Sequence, residues 1–227
     1  MIAALGIDTG ALRRNAERLA TLVEPARFAA VVKANAYGHG LVAVARALQG
    51  VADMFCVYRG DEALALREAG VAEPILVLGP IAPRELAGVA AARAAITLWD
   101  EGTFARDAAR VARGSGEPFA VHAKVDTGVA RLGLPPERAA DAIARYAREP
   151  AFALRGVYTH LAAAEELESA FTLDQLARFE SALQPLEGAL RAGGVVRHAA
   201  ASAAAMLFPA LRLDLVRVGI ALYGIWP

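Results

Sequence analysis

Short apolar runs recur along the chain with amphipathic stretches between them. Eight runs read as β-strands: residues 29–33, 54–58, 75–78, 95–98, 119–126, 154–160, 195–199 and 215–218. The stretches at 9–23, 60–69 and 100–112 have helical periodicity, as do one opening at Pro135 and a long one running from Thr172 to 194. Asp8 and Thr9 are placed to cap the first. Strands alternating with helices predict βα units around a parallel sheet, and eight of them close most simply as a (β/α)8 TIM barrel. An open doubly wound sheet is the competitor, but no G-x-G-x-x-G follows any strand. The expected organisation is one domain over 1–227, with 1–8 as a lead-in.

Period-two alternation then sorts the strand residues by face. Ala29, Val31 and Lys33 share one face, as do His122, Lys124 and Asp126, Tyr158 and His160, Val196 and His198, and Leu215 and Arg217. Each polar member falls late in its strand. Barrel closure would therefore gather Lys33, Lys124, His160, His198 and Arg217 around one mouth. Taken singly, a strand-end lysine is a solvated terminus and a histidine a hydrogen-bonded core residue. Charges inside an apolar barrel are costly unless used or paired, so their convergence points to a site. His39 and His122 read as structural. After the seventh and eighth strands, Ser202, Gly219 and Ile220 form either an anion-binding cup or an ordinary N-cap and turn glycine.

Composition narrows the chemistry. Lys plus Arg and Asp plus Glu are 24 each among 227 residues, so no net field draws the chain to nucleic acid or an anionic membrane. A small-molecule substrate is the expected partner. Cys56 stands alone, which excludes an internal disulfide and offers no metal-ligand spacing. No basic lead precedes the apolar N-terminal residues, and no apolar run approaches the ~18 residues of a spanning helix. A cytoplasmic protein is expected.

The segments "AVVKANAYGHG", "KVDTGVARLG", "GVYTHLA", "HAAASAA" and "VRVGIALYGI" resemble, in order and over the whole chain, the motifs of alanine racemase. The resemblance implies an isomerase that uses pyridoxal phosphate (PLP) and interconverts L- and D-alanine, the D-isomer being a peptidoglycan precursor. It implies a Schiff base on Lys33 and phosphate contacts from Tyr37, Ser202 and the N–H groups of Gly219 and Ile220. Arg131 would face the phenolic oxygen, Arg217 the pyridine nitrogen, and His160 would lie beside the ring, bonded to Arg217. Lys124 matches a position often carbamylated in the family. An arginine at the ring nitrogen offers donors only, which keeps that nitrogen an unprotonated acceptor.

The family is dimeric, and its second acid–base group is a tyrosine of a C-terminal β-domain supplied across the dimer. The sequence is expected to end before that domain, and Tyr58, Tyr146, Tyr158 and Tyr223 do not match the tyrosine. Impaired, one-sided proton exchange would follow. Two motif positions also depart from the family, Ala201 where Asn is usual and Ala130 where Gly is usual. The alternatives are a non-catalytic PLP-carrier barrel and a racemase of another amino acid such as serine.

Overall fold

The computed structural model describes residues 6–166 and 170–227; residues 1–5 of the expected lead-in lie outside them. Strands β1 (Arg27–Val31), β2 (Met54–Val57), β3 (Ile75–Val77), β4 (Ala95–Leu98), β5 (Phe119–Lys124), β6 (Phe152–Tyr158), β7 (Val196–His198) and β8 (Leu215–Val218) form one parallel sheet in the order β7-β6-β5-β4-β3-β2-β1-β8. Its two ends meet. Asp214 N–H donates to the Arg197 carbonyl (3.0 Å), Arg197 N–H to Asp214 Oδ2 (2.7 Å), and Arg217 N–H to the Ala200 carbonyl (2.9 Å). The sheet is thus a (β/α)8 barrel.

Buried on both faces, the strands are near-continuous apolar runs. Inward-pointing Ala29, Val31, Met54, Cys56, Leu76, Ala95 and Leu215 pack together inside the ring. The alternate residues, Ala30, Phe55, Val77 and Ile96 among them, belong to the larger layer between sheet and helices.

The helices are α1 (Thr9–Val23), α2 (Lys33–Tyr37), α3 (Leu41–Leu48), α4 (Gly60–Glu68), α5 (Leu86–Ala91), α6 (Thr103–Ser115), α7 (Pro136–Arg148), α8 (Ala170–Leu183), α9 (Glu187–Ala192) and α10 (Ser202–Leu207). Helix α1 starts at Asp8, whose Oδ1 accepts the Ala11 N–H at 2.9 Å. It buries Leu12, Ala16, Leu19 and Val23, spaced four, three and four apart, and the burial of each large member stabilises by roughly 1.5–3 kcal/mol. The long helix expected from Thr172 is two helices, because Pro185 lies between them and can neither donate an N–H nor clear the carbonyl four residues back.

Three strands end two residues earlier than expected, at Val31, Lys124 and Tyr158, so Lys33 opens α2 while Asp126 and His160 lie in the loops beyond their strands. The ladder still reaches one residue further, through Val32 N–H to Cys56 O (2.8 Å), Val125 N–H to Tyr158 O (2.8 Å) and Thr159 N–H to His198 O (3.1 Å).

Candidate active site

After β1 the chain makes a turn of opposite hand. Ala34, Asn35 and Ala36 have φ of 54° and Tyr37 of 53°, a left-handed arrangement that costs L-residues roughly 1–2 kcal/mol each. Local bonds hold it in place. Asn35 Oδ1 accepts the Leu41 N–H (2.9 Å), Glu62 Oε1 accepts the Asn35 N–H (3.2 Å), and His39 Nδ1 lies 3.0 Å from the Ala36 carbonyl and 3.1 Å from that of Tyr37. His39 also stacks on Tyr223, whose ring lies 5.0 Å from that of Tyr37. His39 is thus structural, as expected. The turn aims Lys33 and Tyr37 at the same cavity, with the Lys33 amine 5.9 Å from the Tyr37 ring centre. Burial lowers the Lys33 pKa; nearby Arg131 adds to the effect and Glu62 opposes it.

Lys124, pointing inward at the end of β5, is buried, and its amine is lowered to about 8 by burial and by Arg131 and Arg217. Asp126 opposes this shift, and its carboxylate is also committed to the backbone. Oδ1 accepts the N–H groups of Gly128 (3.1 Å), Val129 (2.8 Å) and Ala130 (3.2 Å), and Oδ2 accepts that of Arg131 (3.0 Å). Burial would raise the Asp126 carboxyl, but these four donors hold it below its ordinary value. The loop then folds back on itself at Gly133, where φ is +146° and a Cβ would come within 2.6 Å of Asp126 N. Arg131 is carried at its rim.

Arg217, inward on β8, is buried and anchored on three sides. It donates to His198 Nδ1 (2.6 Å), Thr159 O (2.9 Å) and Ala199 O (3.0 Å), and its guanidinium lies over the Tyr158 ring at 4.9 Å. The structure therefore gives His198 the partnership expected of His160, because β7 is the strand beside β8 whereas His160 has left β6 for its loop. A guanidinium only donates, so His198 accepts at Nδ1 and carries its proton on Nε2, directed at His122 Nδ1 2.9 Å away. Burial, then the Arg217 charge, lowers both imidazoles, His122 to about 3. His160, half-buried, is likewise lowered to about 3, first by burial and then by Arg217, Lys124, Arg131 and Lys33.

On the opposite wall Ser202 is the first residue of α10, and Ala201, its N-cap, makes no side-chain capping bond. Ser202 Oγ instead accepts from the N–H groups of Gly219 (3.1 Å) and Ala221 (3.3 Å), so the Gly219 donor is already engaged. A Cβ at position 219 would sit 2.5 Å from the Tyr37 hydroxyl; only glycine lets the two segments approach.

Lys33, Tyr37, Lys124, Arg131, His160, Ser202, Arg217, Gly219 and Ile220 all line one cavity of about 370 Å³, within the roughly 300–1,000 Å³ typical of small-molecule sites. Four are cations, and Glu165 is the only acid among the described lining residues, so the field favours an anionic ligand. Tyr58, Leu132 and Glu165 also line it without having been singled out from the sequence. His122, read as structural, proves to buttress His198 across 76 residues. Alternation marked its inward direction, but nothing local marked its partner.

Fold and site together define a parallel (β/α)8 barrel with a cation-lined, small-molecule-sized cavity at the carboxyl ends of its strands. The alanine racemase, N-terminal domain family matches residues 7–227, and the chain belongs to that family. Among curated relatives, the alanine racemase of Desulforamulus reducens is 40% identical, with 97% of this chain and 60% of the relative covered. That of Geobacillus stearothermophilus is 42% identical, with 97% and 56% covered. The Clostridium difficile 630 alanine racemase structure superposes with a TM-score of 0.90 at 33% identity, covering 96% of this chain and 57% of that one. Its complex with cycloserine gives 0.91. The chain thus spans about 60% of the length of the curated relatives it matches. Among the described residues, no helix is long and apolar enough to cross a membrane.

Proposed function

We propose that this chain is the pyridoxal-phosphate-binding barrel of an alanine racemase, interconverting L- and D-alanine with Lys33 as the residue that holds the cofactor's aldehyde carbon. The observation that carries the proposal is a lysine with a lowered pKa facing the same cavity as a hydroxyl cradle at Tyr37 and Ser202, which the close approach of Gly219 to the Tyr37 hydroxyl brings together. The donor set fits the cofactor. The cradle and the surrounding cations suit a phosphate, Arg217 can donate to a ring nitrogen, and Arg131 at the rim suits a phenolic oxygen. His160 would flank the ring, and the Ile220 N–H would join the phosphate contacts.

Bound there, pyridoxal phosphate supplies the electron sink for the pair left when the substrate's α-proton departs. The protein's own part is proton handling. Burial, and then nearby Arg131, favour the neutral amine of Lys33, the form that can accept the α-proton and return it. Arg217, held by three partners and unable to accept a proton, keeps a fixed donor at its end of the cavity. Lys124, with its amine lowered to about 8, is readily deprotonated, and the neutral amine is the form that takes up carbon dioxide. Carbamylated, it would turn a cation beside Arg131 into an anion that orients it.

Inversion needs an acid–base group on the second face. Tyr158 does not supply one: its hydroxyl is bonded to Thr97 Oγ1 at 3.0 Å and pushed up to about 12 by burial. We assign that role to a second domain reached across a homodimer and expect slow, one-sided exchange from this chain alone. Borohydride reduction in the presence of PLP, followed by peptide mapping, should place the label on Lys33, and D-alanine in heavy water should exchange its α-proton. A label elsewhere, or none, would refute the proposal. Labelled Lys33 without exchange would favour the carrier reading.

A further inference from the structure

Helix α8 contributes no side chain to the cavity wall, yet one of its faces grips two of the loops that do. Phe171, Gln175 and Arg178 fall at i, i+4 and i+7 and so share that face. The Phe171 ring occupies the space where a Cβ on Gly128 would stand, 2.6 Å from its Cζ. Arg178 lies over the same ring at 5.7 Å and donates to the Thr127 carbonyl at 3.1 Å. Gln175 is fully buried. Its Nε2 donates to Thr127 Oγ1 (3.2 Å) and to the His160 carbonyl (3.1 Å), while its Oε1 accepts the Ala162 N–H (2.8 Å). Thr127 Oγ1 in turn lies 2.7 Å from Thr159 Oγ1, and the Thr159 carbonyl accepts from Arg217.

We infer that Gln175 is a positioning residue for the cavity, its amide locking the loop after β5, which carries Arg131, against the loop after β6, which carries His160 and braces Arg217 through Thr159. The inference rests on the proposed function in taking those three residues as cofactor contacts. The spot presents two acceptors and one N–H donor, and a primary amide alone among the side chains answers all three at the end of one flexible stem. A carboxylate would set oxygen against the His160 carbonyl; an apolar side chain would leave that carbonyl and the Ala162 N–H without this partner.

Gln175→Met keeps length and bulk while removing every one of these bonds, and Thr127→Val removes the hydroxyl that links Gln175 to Thr159. Leu66→Ala, on the buried face of α4 and outside the cavity wall, serves as a control that lowers stability. Hydrogen exchange without cofactor should rise at least tenfold at Ala162 and at Gly128–Arg131 in Gln175→Met, to a smaller extent in Thr127→Val, and not in Leu66→Ala. Equilibrium titration should weaken PLP binding about tenfold in Gln175→Met and leave it unchanged in Leu66→Ala. Exchange at those amides matching wild type or the control would overturn the inference. So would faster exchange with undiminished affinity in a protein whose wild type binds PLP. Should the wild type take up no PLP, the proposed function fails, and the exchange data still decide whether Gln175 locks the loops. If Gln175→Met does not fold, Thr127→Val is judged by the same two measurements.

Discussion

Seven non-glycine residues among those described have positive φ, and five of them, Ala34, Asn35, Ala36, Tyr37 and Ala130, lie in the two segments that deliver Lys33, Tyr37 and Arg131 to the cavity. Strain of this kind persists where the surroundings over-determine a conformation, and here it is concentrated at the site. Ala130 is the informative case. Its φ of 55° explains why a glycine there would be easier, since no Cβ would oppose the following carbonyl. Ala130→Gly should stabilise the chain by about 0.5–1 kcal/mol, the relief of left-handed strain less the greater freedom of an unfolded glycine. The urea midpoint would rise; an unchanged or lower one would mean that the Asp126 bonds already absorb the strain. The sequence marked Ala130 as a departure from the family, but its conformation became visible only with the loop closed around Asp126.

Between elements, the pairing of β5 with β6 shifts register at Val121/His122, and Gly156 then faces His122. A Cβ on Gly156 would fall 2.3 Å from His122 Nδ1, the atom that receives the His198 proton. Gly156→Ala should therefore cost about 3 kcal/mol, because a buried, bonded ring has nowhere to turn, and should displace His198 and Arg217 with it. Denaturant unfolding would measure the loss, and a drop below 1 kcal/mol would show the ring adapting. Alternation read the inward faces of these strands correctly, Lys124 and Arg217 included, because a two-residue period is a local property. It could not foresee the left-handed turn after β1, since Ala-Asn-Ala-Tyr carries no glycine to announce one. Nor did Gln175 stand out, as a lone amide within α8 does not reveal that two loops will close over it.

Across the whole molecule, the barrel holds a line of neutral imidazoles beside a buried guanidinium, which sets its response to acid. His122 is lowered to about 3 and His198 well below the ordinary 6.5, so below neutrality the unfolded chain takes up protons that the folded one refuses. Stability should thus fall as pH drops from about 6.5 toward 3, by about 2 kcal/mol at pH 5 from His122, with His198 acting in the same direction. Asp126, whose carboxyl is depressed, contributes a loss only in the more acid range below its ordinary 3.8. Urea unfolding at pH 7 and pH 5 tests this, and equal stabilities would refute it. The sequence by itself determined the eight βα units, the inward set of polar residues and the motif order that marks the family, because periodicity and residue type are written locally. Tertiary structure alone decided that His198 rather than His160 holds Arg217, that the Asp126 carboxylate gathers four N–H groups of its own loop, and that Gln175 ties two loops together. Each of those choices depends on distances between segments far apart in the chain, which ring closure sets and no single stretch contains.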